Sequence, residues 1–165
     1  MKKVGVAILG LGTVGGGVFR ILTEKKEFLK RTQNLDVTIE SVLTRTKEKA
    51  AAMGADESII ASNIEEVVSN PAVDIVAESI GGIEPARTYV LKALMSGKTV
   101  VTSNKELLAK CWSELEAEAK KMNAGLFFEA SCVGGVPIIR VLEESMQGDE
   151  ITSFKGIING TTNYI

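Results

Sequence analysis

The run Val4-Gly5-Val6-Ala7-Ile8-Leu9 drops directly into Gly10-Leu11-Gly12-Thr13-Val14-Gly15, and an apolar-periodic stretch through Val18 and Leu22 follows. Strand, glycine-rich turn and helix in that order form the pattern of a dinucleotide-binding βαβ unit. Each glycine has a separate task there. Gly10 permits the tight turn off the strand, Gly12 removes the Cβ where backbone meets a pyrophosphate, and Gly15 lets helix and strand pack closely. The anion would sit at the helix N-terminus, among unpaired N–H groups and the positive end of the helix dipole. A purely structural glycine turn is the competing reading of the same residues.

The remainder of the chain alternates strand and helix signals. Asp36–Leu43 alternates Val37, Ile39, Ser41 and Leu43 and reads as a second strand, and Thr46–Met53 is a short Ala-rich helix closed by Gly54. A short helix is expected at Ile64–Ser69, a buried strand at Asp74–Ala77 and a helix at Pro85–Ser96. Strand Thr99–Thr102, helix Lys105–Asn123 and strand Leu126–Glu129 complete the pattern. Such repetition predicts an α/β, Rossmann-type, doubly wound and mainly parallel sheet with helices on both faces. Its ligand would lie off the carboxyl ends of the strands, at the switch point.

Composition removes several chemistries. The chain has 165 residues and no histidine, so Ser–His and Cys–His nucleophiles, a histidine base and histidine metal sites are excluded from it. A net charge of −2, with one Trp, two Tyr and five Phe, gives no footprint for nucleic acid. No apolar run is long enough to predict a membrane span. Cys111 and Cys132 have neither CxxC nor zinc spacing, which fits thiols in a reducing cytoplasm. The N-terminal segment superficially imitates a signal peptide, but its glycines fit the nucleotide turn better and no small-residue cleavage site follows.

Strand ends should carry the chemistry. The second strand exits through Leu43-Thr44-Arg45-Thr46-Lys47 without an acid, and the nearest carboxylate, Glu40, is mid-strand. An acid at that tip would suit the ribose 2′-hydroxyl of NAD, whereas an arginine suits the 2′-phosphate of NADP. Arg45 therefore reads either as a phosphate contact, with Lys105 nearby, or as a solvated arginine before a charged helix. The next informative tip, Val100-Val101-Thr102-Ser103-Asn104-Lys105, delivers a lysine to the ligand edge. Lys105 reads as a cation for a carboxylate, phosphate or substrate oxygen, or as a surface lysine. The helix dipole opposes a cation at an N-terminus, which makes its position notable. Glu129 to Pro137 forms a glycine loop leading into a helix with Pro137 in its first turn, either a cation-holding turn or a plain connection.

GLGTVGGGV at 10–18, VVTSNKELLA at 100–109, EASCVGGVPII at 129–139 and GIINGTTNYI at 156–165 together resemble the N-terminal part of homoserine dehydrogenases. The four motifs, in order, cover essentially the whole chain. The resemblance implies NAD(P)-dependent interconversion of homoserine and aspartate 4-semialdehyde, on the route to threonine and methionine. It implies a homodimeric full-length enzyme, while Arg45 and the strand tip without an acid point to preference for NADP(H), with NAD(H) as an alternative. Leu11, Thr13 and Val14 would line the pyrophosphate between Gly10, Gly12 and Gly15, Arg45 would meet the 2′-phosphate, and Ser103 and Lys105 would border cofactor and substrate. Lys105 matches the family's active-site lysine. Glu129, Cys132, Gly134 and Val136 match a loop that binds a sodium ion, largely through backbone carbonyls. Gly160 and Thr161 match the start of the substrate site. Cys132 replaces the family's usual small aliphatic residue.

The resemblance divides the chain into a nucleotide-binding part, 1–135, and the start of a catalytic domain, 136–165. The family's second catalytic lysine and its substrate-binding Glu and Asp belong beyond GTTNYI. The expectation is thus a cofactor-binding piece with poor or no turnover. Two other readings are a different Rossmann oxidoreductase and a non-enzymatic nucleotide-sensing module. Against the former, a Lys-Pro pair is expected where this chain has Lys105-Glu106.

Overall fold

Six strands line up in the order β3-β2-β1-β4-β5-β6, all parallel, in a computed structural model that describes residues 1–156. They are β1 (Lys2–Leu9), β2 (Leu35–Leu43), β3 (Ile60–Ala61), β4 (Ile75–Glu78), β5 (Thr99–Thr102) and β6 (Leu126–Phe127). The helices are α1 (Thr13–Glu24), α2 (Lys26–Gln33), α3 (Lys47–Ala52), α4 (Ile64–Ser69), α5 (Ala86–Met95) and α6 (Lys105–Met122). The expected α/β, doubly wound sheet is present. The switch point falls between β1 and β4, where the chain, having wound outward from β1 through β2 to β3, returns and winds the other way through β5 to β6. Parallel strands buried on both faces must be apolar on both faces, and β1 meets this with a continuous buried run from Val4 to Leu9.

Two cores follow from the alternation of side chains along the strands. Val4, Val6 and Ile8 face one side and pack with Phe19, Val37, Val42 and Ala50, under α1 and α3. Ala7 and Leu9 face the other side with Val76 and Val100, against Val67 of α4, Val90 and Leu94 of α5, and Leu107 and Leu115 of α6. The helices therefore cover both faces, and the carboxyl ends of the strands open at one edge.

Several local expectations are corrected. The regular alternation read across β2 breaks at Glu40, because the β1–β2 register slips between Val6 and Ala7 and pairs Val6 with Ile39 but Ala7 with Ser41. This bulge shifts the phase by one residue. As a result Val42 joins Val37 in one core, while Leu43 joins the other. The last strand ends at Phe127 and Glu129–Ser131 forms a 3-10 turn instead. Helical backbone after Pro137 begins only at Ile139 and continues as a π-helical turn, Val141–Ser145. The elements α2 and β3 had no counterpart in the sequence reading. Gly160 and Thr161 lie outside the described residues. Among the described residues no helix is long and apolar enough to cross a membrane.

Candidate functional site

The glycine-rich turn takes the shape its residues allow. Gly10 has φ +88°, a left-handed conformation that L side chains rarely adopt. A Cβ at Gly15 would stand 1.9 Å from the Gly10 carbonyl oxygen, so α1 can approach β1 this closely only with glycine there. At Gly12 an added Cβ would meet no heavy atom within 4 Å. Gly12 is also the N-cap of α1, and no side chain caps that helix. The first amides of α1 are thus left for an outside acceptor. By contrast, Asn63 caps α4 and Asn104 caps α6 through their side-chain oxygens.

This turn forms the floor of a cleft of about 680 Å³ at the switch point. Gly10, Leu11 and Gly12 line its centre, and Thr44, Arg45 and Thr46 line the β2 side. Ser79, Ile80 and Gly81 line the β4 side, with Glu84 and Tyr89 beyond. Lys47, Lys49 and Ser62 join Arg45 on its rim, so three cations border one end. Lys47 and Ser79 follow strand tips that the sequence marks, whereas no local pattern marks Lys49, Ser62, Glu84 or Tyr89 as cleft residues. Folding brings them there from four separate segments. A hydrogen bond from Thr88 chiefly holds Glu84 below the ordinary carboxylate range, and Arg87 adds to the effect.

The remaining expected residues fall in three places. Thr13 and Val14 are exposed at the start of α1, beside the cleft but not among its lining. Ser103 and Lys105 leave the carboxyl end of β5, Ser103 half-buried and Lys105 exposed. Ser103 donates its N–H to the Glu78 carbonyl at 3.2 Å. Lys105 is not near Arg45, as had been expected. The strands carrying them, β2 and β5, are separated by β1 and β4, and three strand spacings amount to about 14 Å. The two cations therefore belong to opposite ends of the carboxyl edge.

The 129–136 loop is a third place. The Glu129 side chain accepts backbone N–H groups from Ile138 at 2.7 Å, Ile139 at 3.1 Å and Arg140 at 2.8 Å. These bonds, that from Ile138 first, hold its carboxyl below the ordinary range. Cys132 is half-buried, and Gly134 and Val136 are exposed on a turn where Val133 and Gly134 both have positive φ. Among the described residues no group of three or more His, Cys, Asp or Glu side chains is arranged to hold a metal ion.

Comparison with known proteins agrees with this geometry. Residues 10–129 match the family model described as homoserine dehydrogenase, NAD binding domain, and residues 137–165 match that described as homoserine dehydrogenase. The chain is 44% identical over 165 residues to a homoserine dehydrogenase of Bacillus subtilis, covering 100% of this chain and 38% of that one. The Lactococcus lactis homoserine dehydrogenase is 42% identical, with 98% of this chain and 38% of that protein covered. Among solved structures, the Thiobacillus denitrificans homoserine dehydrogenase superposes with a TM-score of 0.80 at 40% identity, over 90% of this chain and 34% of the other. A hyperthermophilic archaeal homoserine dehydrogenase in complex with NADPH gives a TM-score of 0.70 at 31% identity, over 85% of this chain and 48% of that one. The chain thus spans about 38% of the length of the curated relatives quoted. An open glycine turn at the switch point of a 3-2-1-4-5-6 sheet, and a match that covers most of the sequence, lead to one assignment: this chain belongs to the homoserine dehydrogenase family and contains its NAD-binding domain.

Proposed function

We propose that the chain is the cofactor-binding part of an NAD(P)-dependent homoserine dehydrogenase, acting on homoserine and aspartate 4-semialdehyde and preferring NADP(H). The observation that carries this reading is the open, uncapped Gly12 turn, flanked by the cations Arg45, Lys47 and Lys49 at the end of β2. The cofactor supplies hydride transfer when bound, and the protein's task is to hold and orient it. The free amides at the start of α1 would receive the pyrophosphate, with Leu11, Thr13 and Val14 around it. Arg45 would bind the 2′-phosphate by charge-assisted hydrogen bonds. Glu40 offers no alternative for a 2′-hydroxyl. It lies in the β2 bulge, with the Thr38 hydroxyl donating to it at 2.5 Å.

Ser103 and Lys105, at the far end of the carboxyl edge, would border the nicotinamide and the substrate. Lys105 would neutralise or protonate the substrate oxygen, a task no histidine in this chain can perform. Support for the sodium ion is confined to backbone carbonyls of the 129–136 loop, since the Glu129 carboxylate is occupied by three amides. The boundary between a dinucleotide unit, 1–135, and a following catalytic segment, 136–165, falls between the two family matches. Gly160 and Thr161 belong to that second segment and to the substrate site. A cytoplasmic homodimer completes the reading.

Calorimetric titration of NADPH and NADH against wild type and Arg45→Ala tests it. Loss of a charge-assisted phosphate contact is expected to weaken NADPH binding by about 10–100-fold and to leave NADH binding nearly unchanged. Equal NADPH affinity in both proteins would remove Arg45 from the 2′-phosphate site.

A further inference from the structure

A buried carboxylate closes the central strand on the ligand side of the sheet. Glu78, the last residue of β4, is 2% exposed. The corresponding last residues of β1 and β2 are the apolar Leu9 and Leu43. A carboxylate in such a place costs far more to bury than a leucine and is rarely found fully buried without partners. Glu78 has partners on both oxygens. Oε1 accepts the Ile80 N–H at 2.7 Å, and Oε2 accepts the Thr102 hydroxyl at 2.5 Å.

Those bonds belong to a closed ring. Thr102 Oγ1 accepts the Asn104 N–H at 3.0 Å, and the Asn104 side-chain amide donates to the Gly82 carbonyl at 2.6 Å. The path therefore runs from Glu78 through Thr102 and Asn104 to Gly82, and back along residues 80–82. Asn104 Oδ1 also accepts the Leu107 N–H at 3.1 Å and so caps α6, whose first residue is Lys105. On the other side, the Ser79 hydroxyl donates to the Gly10 carbonyl at 3.0 Å. The ring is thus fastened to the glycine turn. It joins the wall of the cleft, residues 79–81, to the helix start that carries Lys105.

We propose that Glu78 is a positioning residue: its buried carboxylate holds the 79–82 loop and the start of α6 as one hydrogen-bonded unit, and so sets the cofactor wall and Lys105 in a fixed relation. The inference rests on the cleft being the cofactor site. Glu78 need touch neither cofactor nor substrate. Its action is through Ile80, Thr102 and Asn104.

The test compares wild type, Glu78→Gln, Glu78→Leu and Thr102→Val in amide hydrogen exchange, thermal unfolding and NADPH titration. Glu78→Leu removes both acceptors and fills the site with apolar volume, whereas Glu78→Gln keeps one oxygen. Thr102→Val breaks the same ring from its other side and serves if a Glu78 variant fails to fold. Exchange is expected to accelerate by about tenfold or more at Ile80, Asn104 and Leu107 only, with β1 and α5 unchanged. NADPH affinity should fall by about tenfold in Glu78→Leu and recover in part in Glu78→Gln. Exchange that is unchanged, or that rises evenly across the sheet, overturns the proposal. So does full NADPH affinity in Glu78→Leu. If wild type itself fails to bind NADPH, the reading of the cleft falls, and the exchange pattern still decides the role of Glu78.

Discussion

A Cβ added at Gly12 meets no heavy atom within 4 Å, whereas one at Gly15 lands 1.9 Å from the Gly10 carbonyl oxygen. One motif thus contains a glycine that the fold itself does not require and a glycine that it does. Gly12→Val is expected to abolish dinucleotide binding while leaving the unfolding midpoint within a few degrees. Gly15→Val should lower the midpoint sharply, because α1 must move off β1. Parallel calorimetric and thermal-melt measurements separate the two, and equal loss of stability and binding in Gly12→Val would make Gly12 structural. Lys98 shows the same division of labour on the opposite side of the molecule. Its ammonium donates to the Asn70 and Val73 carbonyls at 2.9 and 2.8 Å, fixing the loop before β4. Burial pushes its pKa below the ordinary lysine value, against the opposing charge of Asp74. The fold therefore penalises the charged form, and that penalty is relieved as pH rises from the folded pKa toward the unfolded one. Lys98→Met leaves two carbonyls without a donor and should cost about 1–3 kcal/mol in urea unfolding at neutral pH.

At the scale of elements, two of the α-helices among the described residues carry a side-chain cap, α4 through Asn63 and α6 through Asn104. Asn63 Oδ1 accepts the Glu66 N–H at 3.0 Å, and Glu66 reaches back to the Ser62 N–H at 2.8 Å. Asn63→Ala should therefore cost about 1 kcal/mol, read as a lower urea midpoint. It should also loosen Ser62 at the cleft rim. α1 has no such cap, and its N-cap Gly12 lines the cleft, so an anion bound there would meet open amides. α2 shows why short polar helices escape a sequence reading. Its eight residues, Lys26–Gln33, include none that is buried. Half-buried Leu29, packed against the core under α1, and the Lys30–Asp36 ion pair at 3.4 Å hold it in place, too little apolar surface to reveal it in the sequence.

Across the whole molecule the sheet order sets what each charged residue can do. Arg45 and Lys105 each leave a strand at its carboxyl end, yet two strands lie between them. In the proposed binding mode a dinucleotide laid along this edge would meet Arg45 at one end and approach Lys105 at the other. The frame that holds those ends apart is the pair of cores on the two sheet faces. Leu94 of α5 is fully buried in one of them, and Leu94→Ala should cost about 2–5 kcal/mol through lost burial and the cavity left behind. Because α5 backs the β4–β5 pair, chemical unfolding should remain a single transition with a lower midpoint. A variant as stable as wild type would mean that this core is not what supports the cleft.

The sequence determined what local chemistry determines. Glycine spacing after an apolar run specified the turn, strand–helix alternation specified the parallel sheet, and Thr99–Thr102 was bounded as it folds. The absence of an acid after Leu43 was equally legible, because a strand tip is a local feature. Only the tertiary structure decided matters that depend on partners distant in the chain. The bulge at Glu40, which sends Val42 and Leu43 to opposite cores, arises from pairing with β1 and leaves no sign in the alternation of β2. Glu84, in the loop after β4, and Tyr89, in the first turn of α5, line the cleft with residues that β2 and the glycine turn bring to it. The burial of Glu78 needs Thr102 and Ile80 on its two sides, 24 and 2 residues away. Periodicity records which side of an element is apolar. Register, strand order and long-range hydrogen bonds decide what that side, or a lone carboxylate, will face.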